Sequence, residues 1–120
     1  MRQFELRRSY RARDIIAQIL ELPQGIHVSL YGGDLPHIGA VGIVDTEGNC
    51  TVTEFPPHRE GVVCQTWIDA LSAVEIRPAV VEAGIHYDNL DKAGIRTVLS
   101  LTGELLGEAL QHLLTAKTTT

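Results

Sequence analysis

Three places in the chain set a histidine beside an acid inside a stretch stiffened by glycine or proline. They are Asp34 with His37, His58 with Glu60, and His86 with Asp88 and Asn89. Such pairings suit metal ligation by a ring nitrogen with a carboxylate behind it, general-base chemistry, or hydrogen bonding to a polar ligand. If the three loops converge, His37, His58 and His86 form a three-nitrogen metal set. Glu60 or Asp88 would then serve as a general base in a small metal-dependent enzyme. Against that set, no pair has the helical His-x-x-x-His spacing and no cysteine joins it. His27 alternates outward in the middle of a strand, and His112 lies on the polar side of the last helix. Both read as surface residues.

Other chemistries find less support. Cys64 falls inside a predicted helix, where a buried structural thiol is the default. No serine sits on a nucleophile elbow. Gly32-Gly33 is not followed by the Gly-Lys-Ser/Thr of a phosphate loop, and Gly-x-Gly-x-x-Gly is absent. An anion can still be met at the start of the helix after Glu60, where free N–H groups and Arg59 would suit a phosphate.

The stretch that must position these residues runs from Tyr31 to Asp45. Gly32 and Gly33 can take positive φ or admit another group close to the backbone. Pro36 fixes its own φ and holds Leu35 extended. Asp34 and His37 are thereby set at defined places. Gly39 and Gly42, in the strand that follows, suggest close approach by a neighbour or a ligand. The plain alternative is a tight hairpin connection with a capping Asp and a surface His.

Around that stretch, alternation predicts strands over 3–10 and 26–31, and a strand is preferred to a helix over 14–22. Further strands are expected over 38–44 and 50–55, the three from 26 to 55 forming an antiparallel meander. A helical period over 61–74 carries Val63, Trp67, Ala70, Leu71 and Val74. Residues 79–85 read as an inner strand. Helices over 90–99 and 104–114 are expected, separated by a break at 100–103. Strands first and helices later predict an α+β fold: one domain over 1–120, a largely antiparallel sheet and helices on one face. Residues 116–120 are expected to fray. The uncovered side of such a sheet makes a homodimer plausible.

Composition bounds the rest. With 120 residues, 44% hydrophobic and 21% charged, the chain suits a single core. The net charge of −5 argues against nucleic acid as a partner. The arginines at 2, 7, 8, 11 and 13 read as the solvated charges of an edge strand. There is no transmembrane run and no apolar signal core. Cys50 and Cys64 read as reduced thiols of a cytoplasmic protein.

The blocks Gly32-Gly33-Asp34-Leu35-Pro36-His37-Ile38-Gly39-Ala40-Val41, Pro57-His58-Arg59-Glu60 and Gly84-Ile85-His86-Tyr87-Asp88-Asn89 resemble the LpdD-like family, in that order and at similar separations. The resemblance covers about residues 26 to 115. It implies a fold similar to proteasome assembly chaperones, a homodimer, and a non-catalytic role. That role is to bind reduced prenylated FMN, or FMN itself, and pass it to a UbiD-type aromatic acid decarboxylase. Under that reading Gly32, Gly33 and Gly39 give close approach, and Arg59 with the helix start meets the phosphate. Asp34, His37, His58, His86 and Asn89 then serve the ring edge, Glu60 turns towards a histidine or that edge, and Asp88 completes the cofactor-binding set. The alternatives are the metal-dependent enzyme above and an assembly module without a ligand.

Overall fold

The computed structural model describes residues 1–118, with side chains described to residue 115. Its elements are β1 (Arg2–Tyr10), β2 (Arg13–Leu22), β3 (Gly25–Gly33), β4 (Ala40–Val44), β5 (Cys50–Glu54), α1 (Gly61–Ala73), β6 (Ala79–His86) and α2 (Lys92–Thr118). The six strands form one sheet in the order β1-β2-β3-β6-β4-β5. Every neighbouring pair is antiparallel except β3 and β6. The α+β expectation and the largely antiparallel sheet are therefore met.

Alternation decides which side is buried. Ala17 pairs with Leu30, Leu30 with Ala83, and Ala83 with Ala40, and all four are fully buried. The same face carries Ile15, Ile19, Val28, Val44 and Val81. Onto it α1 lays Val63, Cys64, Trp67, Ile68 and Leu71, packing on β4, β5 and β6. The longer α2 lays Leu105, Leu106, Ala109 and Leu113 over β1 and β2. Each large side chain removed from water in this layer contributes about 1.5–3 kcal/mol. Gly42 lets α1 sit close, since a Cβ there would lie 3.1 Å from the Cys64 Cβ. Both helices thus share one face, as expected. The other face carries half-buried Ile16, Leu20, Tyr31, Val41 and Val80 and exposed Ile43, with His27, Ser29 and Glu82 among them.

Two expectations fail. The meander of β3, β4 and β5 does not form, because β6 lies between β3 and β4. The connection from Asp34 to Gly39 is six residues long. It does not make a tight hairpin but steps over the end of β6, one strand position away. The near-continuous apolar run of β6 fits a strand flanked on both edges. Nor does the helix break at 100–103, since α2 runs unbroken from Lys92 to Thr118. Thr102 bonds back to the Leu99 carbonyl at 2.7 Å, and nothing lies within 4 Å of a Cβ built on Gly103. A glycine on an exposed helix face costs about 1 kcal/mol, which the buried leucines on either side outweigh. The strand expected from Ile38 starts two residues later, leaving Ile38 in the loop and 58% exposed. In the tail, the backbone of 116–118 continues α2; Thr119 and Thr120, also expected to fray, lie outside the described residues.

Candidate functional site

The loop over 34–39 is pinned to the end of β6 by its backbone. Asp34 N–H donates to the His86 carbonyl at 2.6 Å, His37 N–H to Gly84 at 3.4 Å, and Gly39 N–H to Ala83 at 2.8 Å. This crossing needs residues without side chains. A Cβ on Gly84 would overlap the His37 carbonyl oxygen, and one on Gly33 (φ +81°) would overlap the His86 carbonyl oxygen. Gly32 meets the Asp14 carbonyl and Gly39 the Glu60 carboxylate in the same way. The close approach read from Gly32, Gly33 and Gly39 is therefore real, but the approaching atoms belong to the protein. These glycines shape the loop; the space beside them is already filled.

The loop brings His37 to the start of α1. Pro56 and Pro57 turn the chain there, with His58 N–H donating to the Phe55 carbonyl at 3.0 Å. Glu60 is the last residue before the helix, and its carbonyl accepts from Val63 and Cys64. Its side chain turns away from the helix axis to His37, with Nε2 and Oε1 2.7 Å apart. His37 Nδ1 lies 3.0 Å from the Leu35 carbonyl oxygen. The His58 ring stacks on His37, with centroids 4.1 Å apart and planes inclined by 30°. His37 and Glu60 side chains are only 15% and 13% exposed. Glu60 Oε2 is buried without a hydrogen-bond partner among the described residues.

His86 belongs to a second group. Its Nε2 is 2.8 Å from Asp88 Oδ1, and Asp88 N–H donates to Asp34 Oδ2 at 3.0 Å. Arg13 Nε lies 3.5 Å from Asp34 Oδ1, and Arg11 donates to the Asp88 carbonyl at 3.0 Å. Asn89 is exposed with φ 57°. The three His–acid pairs thus divide into two clusters, to each of which the 34–39 loop contributes one residue, His37 to one and Asp34 to the other. The set of His37, His58 and His86 as metal ligands is not assembled. Among the described residues, the one group close enough to ligate a metal is His37, His58 and Glu60, with ligand atoms all within 4.8 Å of one another. Glu60 stands in that group and His86 does not; His86 pairs with Asp88 instead.

Arg59 is exposed and makes no hydrogen bond or ion pair among the described residues. The helix start beside it is less open than its sequence suggests, since Gly61 N–H donates to Glu54 Oε2 at 3.0 Å. From the sequence, Glu54 is only one residue of the strand expected over 50–55. The exposed apolar side chains of the same segments were also missed: Leu35 and Ile38 flank His37, Phe55 donates its N–H to the Gly39 carbonyl, and Val62 follows Gly61. Their signal was apolar side chains beside proline and histidine in loops. Cys64, buried under this cluster, has its thiol pushed up to about 11, first by burial and then by the Glu60 charge. Burial and nearby Asp34 also raise Tyr87, whose hydroxyl donates to the Arg13 carbonyl at 2.9 Å.

No helix among the described residues is long and apolar enough to cross a membrane. None of the curated proteins matches the chain. One family does, described as the prenylated flavin chaperone LpdD-like domain, over residues 9–114. That span takes in both His–acid clusters and all of β2 to β6, and the chain belongs to this prenylated flavin chaperone LpdD-like family.

Proposed function

We propose that the protein binds reduced prenylated FMN without transforming it and delivers it to a UbiD-type decarboxylase. The observation that carries this reading is the exposed apolar set Leu35, Ile38, Phe55 and Val62, 62%, 58%, 45% and 59% exposed, on the segments that carry His37, His58 and Glu60. Exposed apolar side chains gathered around a polar site mark a binding surface. A prenylated flavin is a wide apolar ring with a polar edge and a phosphate. The apolar set and the stacked imidazoles suit its face, and unpaired Arg59 suits its phosphate. Asp34, His86, Asp88 and Asn89 remain candidates for the polar edge. A role as carrier agrees with the state of Cys64: a buried thiol held at about 11 is a poor nucleophile.

The working unit in this proposal is a homodimer joined through the uncovered sheet face, and the compartment is the cytoplasm. Anaerobic titration with FMN, reduced FMN and reduced prenylated FMN tests the ligand. Stoichiometric binding of the reduced prenylated form, followed by transfer that activates an apo-decarboxylase, is the expected result. Failure to bind any of the three would end the proposal.

A further inference from the structure

The cluster of His37, His58 and Glu60 has two features that an aromatic ring does not explain. Both ring nitrogens of His37 face acceptors: Nδ1 the Leu35 carbonyl at 3.0 Å, and Nε2 the Glu60 carboxylate at 2.7 Å. If Nδ1–H donates to the carbonyl, a lone pair at Nε2 points at a carboxylate oxygen. That contact is attractive only with a positive charge shared between them. The second feature is Glu60 Oε2, buried and unpartnered. A buried acceptor without a partner is costly, and more so when charged.

A proton on His37 settles the first feature and leaves Oε2 and the His58 nitrogen unused. A metal ion uses all three groups. We propose that His37, His58 and Glu60 bind a divalent first-row transition ion of the zinc class. Two imidazole nitrogens and one carboxylate oxygen suit such ions and not magnesium or calcium, which take oxygen. The hydrogen bond from His37 Nδ1 to a backbone carbonyl is the usual support of a ligating imidazole, aiming Nε2 at the metal. The ligand atoms lie within 4.8 Å of one another. In a tetrahedral site with bonds of about 2.0 Å they would lie about 3.3 Å apart. The His37 Nε2–Glu60 Oε1 pair, at 2.7 Å, must open to that spacing and the His58 nitrogen must approach it; a small turn of the Glu60 carboxylate and rotation of the partly exposed His58 ring supply both. The backbone around them is fixed by the bonds of the 34–39 loop to β6, and Gly39 leaves room for the carboxylate. Three protein ligands leave one coordination position for water.

The ion would use the two imidazoles that the proposed function sets against the flavin face, and a test without flavin keeps failure of the metal site distinguishable from failure of flavin binding. The chelator-treated full chain is titrated with Zn²⁺ alone and with Co²⁺ alone. One ion per chain is expected, with micromolar or tighter affinity and the visible bands of four- or five-coordinate Co²⁺. In the unmutated protein, zinc should shift the imidazole NMR signals of His37 and His58 and leave those of His27, His86 and His112 in place. Glu60→Gln and His58→Gln should each weaken Co²⁺ at least tenfold, and His86→Gln should leave it unchanged. Absence of binding at 100 µM ion, shifts at His86 or His112 in place of His37 and His58, or equal affinity in Glu60→Gln would overturn the assignment. The NMR arm decides the matter even if a variant fails to fold.

Discussion

The His37 carbonyl oxygen occupies the position that a Cβ on Gly84 would take. The obstacle is backbone, pinned at both ends by bonds from Asp34 and Gly39 to β6. Gly84→Ala must therefore lift the loop off the sheet. A loss of about 3 kcal/mol or more in urea unfolding is expected, together with loss of flavin binding. Unchanged stability would mean that the loop does not cross β6 as described.

Gly39→Ala tests the same loop through a softer neighbour. Its Cβ would overlap the Glu60 carboxylate, the end of a flexible side chain. The carboxylate can swing aside, so a cost of about 1–2 kcal/mol is expected. Combining Gly39→Ala with Glu60→Ala should recover most of that cost in a double-mutant cycle. Strict additivity of the two changes would count against the contact.

Arg59→Ala addresses the phosphate. Each charge-assisted bond to a phosphate is worth about 1.5–3 kcal/mol. The variant should bind phosphorylated flavin roughly tenfold more weakly or worse, and bind riboflavin-type analogues as before. Equal weakening of both would place the phosphate elsewhere, for example near Arg11 and Arg13.

The two cysteines should differ sharply. Cys50 is exposed and Cys64 is buried, so a thiol reagent should label one group per folded chain and two after denaturation. In the folded state the Cys64 thiol is held at about 11 against an ordinary 9. The unfolded chain therefore gives up this proton first as pH rises. The contribution is fully present below pH 9 and is lost between 9 and 11. Cys64→Ala, compared with wild type across that window, should show a flatter fall in stability.

The uncovered sheet face carries Val80 and Ile43 beside Val41 and Leu20. Val80→Glu should turn a homodimer into a monomer in sedimentation while leaving the circular dichroism intact, because no buried core residue changes. A protein that is monomeric before the change, at micromolar concentration, would refute pairing through this face.

Much of the fold was legible because burial on one face writes a period of two into β1, β2 and β3, and a helical period into α1. Pairing was not. His27, Ser29 and Tyr31 alternate in β3 identically whether the neighbour is β4 or β6, so local pattern could not reveal the insertion. The clue was the six-residue connection carrying Pro36, too long for the two-residue hairpins that match strand twist. The break expected at Ser100–Gly103 reflects weak helix formers whose exposed positions cost little. At the site, the residue types pointed to three His–acid pairs and to His37, His58 and His86 as one set; the chain brings together His37, His58 and Glu60, and pairs His86 with Asp88. That His86 would be held by Asp88 depends on how tightly the chain turns after β6. The exposure of Leu35, Ile38, Phe55 and Val62 was not legible, because an apolar residue beside a turn reads the same whether it packs inward or faces out.

The insertion of β6 also orders events in time. A chain emerging from the ribosome completes β1–β2–β3 and the β4–β5 pair before residues 79–86 exist. Until then the inner edges of β3 and β4 have no partner and can pair with other chains. The 34–39 loop likewise has no β6 backbone to grip, so His37 has no fixed place. Only when β6 enters do the two halves become one sheet and the His–acid clusters take shape. A binding site built in this last step exists only on finished molecules. A half-made chain would carry His37, His58 and Glu60 without the geometry that joins them.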